Sequence, residues 1–264
     1  MVLLPSISYA QRAVKKLPKA KQDAKTTTAK MRVDIWSDVM CPFCYIGKRR
    51  FEGALAQFEN RDDVEIVWHS FQLDPDVKAQ PGKDVYSWLA ERKGQSLDWS
   101  RQAHKQVAEM ASGVGLQYNF DNAVIANSFD AHRVVQLAKK YGKSDAMEEQ
   151  LFKGYFTDSK NIGSHEVLIE MATAIGIDAD ETAEVLKNDT YADAVQADID
   201  RAAQIGINGV PFFVINNKYG ISGAQATETF TGALNKAWEE YATEKKLTII
   251  DGDAASCEPG GDCK

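Results

Sequence analysis

The amino-acid sequence predicts an α/β protein in which a large all-helical segment interrupts a smaller, strand-containing unit. Three observations predict it. Residues 32–58 read as a short strand, a sharp turn holding Cys41-Pro42-Phe43-Cys44 and an amphipathic helix. From about residue 80 to residue 204 strand signals vanish and helix signals recur. Strand-like residues then resume at Val210-Pro211-Phe212-Phe213-Val214-Ile215 and lead through a hairpin to a final helix. The expected division is a basic tail (1–30), the first part of the α/β unit (31–79), the inserted helical domain (80–204), the second part (205–243) and a flexible tail with a second cysteine pair (244–264).

The first segment differs in character from the rest. Arg12, Lys15, Lys16, Lys19, Lys21, Lys25 and Lys30 face only Asp23, whereas the whole chain carries a net charge of −7. Without an apolar period beyond Val2 to Leu4, such a segment reads as a disordered tail. Ser8-Tyr9-Ala10 has the form of a secretory cleavage site, but no basic n-region precedes it and the apolar stretch is short, so a cytoplasmic location is expected. Met31, directly before the first strand, is a candidate start of translation.

Val33 and Ile35 alternate as in a half-buried strand. After the turn, Cys44, Gly47, Phe51, Ala54, Leu55 and Phe58 share one helical face. Asn60 to Asp63 break the pattern, and Val64 to Trp68 read as a second strand, giving a parallel strand–helix–strand crossover. His69 to Pro75 read as an irregular exit. In the insertion, helices are expected over Asp84–Lys93, from about Trp99 to Ser112, after Asn127 or Ser128, from Ser144 to about Phe156, from Ser164 to Gly176, after Asp178, and from Thr190 or Tyr191 to Ile205. Asp178 with Glu181 has the form of a capping box. The closing hairpin turns at Asn216-Asn217-Lys218, and the last helix covers about Ala226 to Tyr241. Pro211 belongs at the start of its strand, because proline donates nothing to a ladder, and it is a candidate for a cis peptide bond.

The chemistry is expected at the cysteine pair. Cys41 lies just before a helix N-terminus, where a residue can be exposed and where unpaired N–H groups stabilise a thiolate. Pro42 suits the first helical turn, where its missing N–H has no intrahelical partner. In such a C-x-x-C pair the first thiol can titrate at about 3.5–7 instead of about 8.5. Lys48, Arg49 and Arg50 are expected to add positive charge from a solvated face. Cys41 is therefore the expected nucleophile and Cys44 the resolving thiol. The bland alternatives are two inert core thiols, or half of a zinc site completed by Cys257 and Cys263. The strand–turn–helix setting favours redox chemistry, with no metal.

The remaining titratable residues promise less. Asp34 and Asp38 flank the motif and either can accept a proton, though a strand-end or turn carboxylate is the simpler reading of both. His132 reads as a hydrogen-bonding residue on a helix face or between domains, and His165 as a first-turn surface residue. His69 and His104 suggest no chemistry. No G-x-G-x-x-G or P-loop is present, so no nucleotide cofactor is indicated. The negative balance argues against nucleic acid, and no apolar run is long enough to span a membrane.

Several stretches together resemble the FrnE subfamily of DsbA-like thiol oxidoreductases. These are W-S-D-V-M-C-P-F-C-Y-I-G-K-R-R-F, A-N-S-F-D-A-H-R, L-F-K-G-Y-F-T, I-G-S-H-E-V-L and G-I-N-G-V-P-F-F-V, and the resemblance extends from about Met31 to Tyr241. It implies a thioredoxin fold with a large inserted all-helical domain. It implies that Cys41 and Cys44 are the redox pair, that Pro211 is the cis-proline beside it, and that Val210 offers backbone groups to an extended substrate. The implied substrate cleft lies between the Pro42-Phe43 turn, the Val210-Pro211 loop and the helical domain. Cys257 and Cys263 match a second pair found near the C-terminus in such proteins, although the spacer Glu258 to Asp262 is one residue longer than the family pattern. The implied activity is thiol–disulfide exchange on protein or peptide substrates, at reduction potentials of about −120 to −270 mV. No cofactor beyond the redox disulfide is needed, and glutathione or a thioredoxin-type protein is the candidate recycling partner. The subfamily is also similar to the 2-hydroxychromene-2-carboxylate isomerases, which use bound glutathione and tend to carry serine where Cys41 stands. A glutathione-dependent isomerase is thus the alternative enzyme, and a zinc-binding module the alternative outside catalysis.

Overall fold

A computed structural model describes residues 30–80 and 82–244; the two tails, with Cys257 and Cys263, lie outside the described residues. Strands β1 (Met31–Ser37), β2 (Val64–Ser70), β3 (Phe212–Ile215) and β4 (Tyr219–Ser222) form one sheet in the order β2-β1-β3-β4. β1 and β2 are parallel, with Val33 opposite Ile66, as the crossover through α1 (Pro42–Ala56) requires. β3 returns antiparallel to β1, with Phe213 opposite Ile35, and pairs with β4 through a tight turn. Asn216 and Asn217 both take positive φ (51° and 52°), which matches the right-handed twist of a hairpin and which asparagine tolerates best after glycine.

Two expectations about the strands are corrected. β1 is buried on both faces, because helices cover the sheet from both sides. On one side Val33, Ile35, Phe213 and Ile215 pack against Phe51 of α1 and against Phe230 and Leu234 of α9 (Thr227–Glu244). On the other, Trp36 and Phe212 pack with Ala202 of α8 (Ala192–Gln204) and with Ile207. β2 also runs on through His69 and Ser70, which pair with Trp36 and Ser37 and are no irregular exit.

Between β2 and β3 lie α2 (Val85–Lys93), α3 (Leu97–Ser112), α4 (Phe129–Lys140), α5 (Ser144–Phe156), α6 (His165–Ala174), α7 (Ala179–Lys187) and α8. Asp84, Ser96, Ser164 and Asp178 cap four of them, each accepting from the backbone N–H three residues on. At α4 it is Asn127 that accepts, from Phe129 N–H at 2.8 Å. The expected capping box is only half formed: Glu181 turns instead to Lys140 at 2.8 Å. The thioredoxin fold with its helical insertion is thus the fold of this chain. The helical core is continuous with the cysteine turn, since Cys41, Cys44, Tyr45 and Ile46 share one apolar cluster with Val134, Leu151, Phe152 and Phe156.

Candidate active site

Cys41 occupies the N-cap of α1 in an extended conformation, and Pro42 is the first helical residue. A turn closed by the Asp38 carbonyl, which accepts from Cys41 N–H at 2.9 Å, delivers the chain from β1 to this point. The Cys41 thiol donates to the carbonyl of Val210 at 3.5 Å, and the Val210–Pro211 peptide bond is cis. One hundred and sixty-nine residues separate these partners in sequence. β3 lies beside β1, so its entry loop meets the end of the turn.

Burial at the motif differs from expectation. Cys41 is only 2% exposed, whereas Phe43 is 39% exposed and presents its ring to solvent. Helix N-terminal position gives no exposure where a second loop, here Val210-Pro211, lies across it. Cys44 is buried as well. Burial, reinforced by the neighbouring Cys41, pushes its thiol well above the usual range, while the Asp38 backbone and the Ser37 hydroxyl oppose the shift. Cys44 is thus held as a thiol. Both cysteines are free.

Further contacts fix the turn. The Tyr118 hydroxyl donates to the Pro42 carbonyl at 2.7 Å, and its ring stacks on Phe156 at 4.6 Å. Gly47 lets α1 press on the Pro211 loop, because a Cβ there would stand 2.9 Å from Pro211 Cγ. Replacing Gly47 with alanine is expected to displace that loop, to cost about 1–3 kcal/mol of overpacking and to slow thiol–disulfide exchange. Denaturant unfolding and an exchange assay on the same variant check both effects; unchanged exchange refutes the positioning role.

Lys48, expected on a solvated face, is 2% exposed. It stands among Glu52, Asp145 (3.5 Å) and Glu149 (3.2 Å), and those carboxylates outweigh the burial that pulls its ammonium down. Arg49 reaches Glu149 at 2.9 Å and Tyr45 at 3.0 Å, so α1 is bound to α5 by charge as well as by apolar packing. The sequence reading placed these cations by charge alone and missed that α5 supplies their partners.

Asp38 accepts from Met40 N–H at 3.1 Å and Leu73 N–H at 2.8 Å, a turn carboxylate as expected. Asp34 lies within β1, not at its end, and binds Arg32 at 2.9 Å and His69 at 2.6 Å. His132 is fully buried, and neither ring nitrogen has a hydrogen-bond partner, against the expectation of a hydrogen-bonding residue. Its Nε2 faces Asp38 at 3.7 Å. His165 is a first-turn surface residue, with Asp130 at 2.9 Å. Sequence reasoning missed Tyr118, Glu148 and the His69–Asp198 pair. For Glu148 a signal existed: it shares a helical stripe with Leu151, Phe152 and Tyr155.

A thioredoxin sheet carrying a C-x-x-C turn at a helix N-terminus opposite a cis-proline defines the class of protein, a DsbA-like oxidoreductase fold. The chain belongs to the DSBA-like thioredoxin domain family, whose model matches residues 32–235. It is similar to a solved structure named a probable DsbA oxidoreductase from Streptomyces coelicolor, with 40% identity, a TM-score of 0.75, and coverage of 89% of this chain and 98% of that one. The Bacillus subtilis protein YwbO, itself described as uncharacterized, is 28% identical over 213 residues, 78% of this chain and 96% of its own length. The cytosolic disulfide reductase DsbM from Pseudomonas aeruginosa, solved with GSH, shares the fold at 14% identity and a TM-score of 0.54, over 82% of this chain and all of that one. Among the described residues, no helix is long and apolar enough to cross a membrane.

Proposed function

We propose that this protein is a thiol–disulfide oxidoreductase of the FrnE type, acting on protein or peptide substrates through Cys41 and Cys44. The observation that carries this reading is the contact between the Cys41 thiol and the Val210 carbonyl at 3.5 Å. It sets the nucleophile beside backbone that an extended peptide can pair with, next to the exposed ring of Phe43. In the reducing direction the Cys41 thiolate attacks a substrate disulfide and one substrate thiolate leaves. Cys44 then attacks Cys41, the Cys41–Cys44 bond forms and the second substrate thiolate departs. The substrate gains two electrons and the pair loses them; the reverse sequence donates a disulfide. Pro42 and Phe43 tune the balance between the two directions. Glutathione or a thioredoxin-type protein restores the starting state, and Cys257 and Cys263 are proposed to pass electrons to or from the first pair.

Thiol alkylation and peptide mass spectrometry across glutathione redox buffers test this reading, with bound zinc measured in parallel. A reversible Cys41–Cys44 disulfide with a defined midpoint is expected. A protein that forms no such bond and holds glutathione without covalent attachment is instead an isomerase-type binder, and one that retains zinc on its cysteines is a metal module.

A further inference from the structure

Asn208-Gly209 is the one Asn-Gly pair in the sequence, and it directly precedes Val210, whose carbonyl Cys41 touches. Asn-Gly ordinarily marks a two-residue hairpin turn with both residues at positive φ. Here the hairpin turns at Asn216 and Asn217, and neither Asn208 nor Gly209 has positive φ. Nor does crowding call for glycine, since a Cβ on Gly209 would meet nothing within 4 Å. What glycine does supply is an unshielded backbone nitrogen next to a side-chain amide. Among the described residues that N–H donates no hydrogen bond. Asn208 is exposed, and its side chain makes a single hydrogen bond among them, from Nδ2 to the Gly206 carbonyl at 3.2 Å. That one bond is all that holds the amide away from the nitrogen able to attack it.

We infer that Asn208 is a site of spontaneous deamidation, and that its isoaspartyl product disengages the Val210 carbonyl from Cys41. The Gly209 nitrogen attacks Asn208 Cγ. The N–Cγ bond forms, the Cγ–Nδ2 bond breaks, and Nδ2 leaves as ammonia with the proton that the Gly209 nitrogen gave up. Water then opens the resulting cyclic imide at one of its two carbonyls. Opening at Cγ gives aspartate. Opening at the backbone carbonyl gives isoaspartate, in which the main chain runs on through Cβ and Cγ. No electrons are transferred, and water is the only co-reactant.

The effect on the site rests on the thiol–disulfide reading above. The loop is anchored at both ends. Ile207 is buried with Trp36 and Ala202, and its N–H donates to the Ala202 carbonyl at 2.9 Å. Pro211 is buried, its carbonyl accepts from Gly223 N–H at 2.8 Å, and Phe212 after it pairs with Trp36 of β1. An isoaspartyl link adds one main-chain atom, about 1.5 Å of contour, between these fixed points. Only Gly209 and Val210 lie beyond it to take up the slack. The contact from Cys41 Sγ to the Val210 carbonyl is already 3.5 Å long, so a shift on this scale breaks it.

The test ages the full chain at mildly alkaline pH, with reductant present so that thiol oxidation does not contribute. Peptide mass spectrometry reads the residue at 208, and an exchange assay compares each protein with its own fresh sample. Wild type is expected to convert at Asn208, mainly to isoaspartate, and the isoaspartyl fraction separated by ion exchange to exchange about a hundredfold more slowly, the cost of a misplacement of about 1 Å. Gly209→Ala, which shields the attacking nitrogen, is expected to keep both its amide and its activity over the same period. Asn208→Asp adds the charge without the extra atom and is expected to exchange like fresh wild type. An amide that persists at Asn208 overturns the inference, as does an isoaspartyl fraction with full exchange. A fresh wild-type protein that exchanges no disulfide sinks the oxidoreductase reading and the effect drawn from it, while the mass at position 208 still decides the modification.

Discussion

Cys41→Ser is expected to abolish exchange, whereas Cys44→Ser is expected to stop it one step later, with the protein locked to its substrate. The two thiols differ by three residues but not in role. Cys41 caps the N-terminus of α1 against the Val210 carbonyl, covered by that loop and beside exposed Phe43. Cys44 lies inside the shared core, where burial holds it as a thiol. An incoming disulfide therefore meets Cys41 first, and only Cys44 is placed to release it. Intact mass spectrometry after oxidised glutathione checks the contrast: no adduct on the serine variant of Cys41, and one stable adduct on that of Cys44. Full exchange by the Cys41 variant would falsify the assignment.

His69→Ala is expected to produce the largest loss of stability among single changes at the junction of sheet and insertion. His69 Nε2 meets Asp34 at 2.6 Å and Nδ1 meets Asp198 at 2.5 Å, and the ring stacks on Trp36 at 4.3 Å. Asp198 also accepts from Ser70 N–H at 3.1 Å and Gln136 at 2.7 Å, so β1, β2, α4 and α8 converge there. Removing the ring leaves two buried carboxylates facing each other without their shared donor, a loss of about 3–5 kcal/mol. Urea unfolding reads it directly, and a change below about 1 kcal/mol refutes the clamp.

The same site sets a pH dependence. Burial raises both carboxyls, but His69 outweighs it at each, helped by Arg32 at Asp34, and both end below the usual range. A carboxyl depressed by folding stabilises above its unfolded value of about 3.9 and loses that contribution as pH falls through the lower folded value. Wild-type stability should therefore fall through this acid window, and His69→Ala should flatten the fall.

What was legible in the sequence followed from periodicity and local turn chemistry. Val64 to Trp68 announced a strand, Asn216-Asn217 a hairpin, and Ser164 and Asp178 their helix starts, because each pattern lies within a few residues of the group it satisfies. Lys48 was misread for the opposite reason. Its burial depends on Glu149 and Asp145, which a different helix brings to it.

By itself, the sequence determined the strand–turn–helix that carries Cys41 and Cys44, the run of helices that separates it from the closing hairpin, and the family resemblance. Period-2 and period-3.6 patterns encode such elements, whatever they later touch. The tertiary structure alone decided that Cys41 is covered, that Lys48 is enclosed, that His69 joins Asp34 to Asp198, and that His132 and Glu148 lie unpartnered near the cysteine turn. Those facts depend on which faces meet when the helices close over the sheet. Burial and charge pairing belong to that closure, and no short stretch of chain contains both partners.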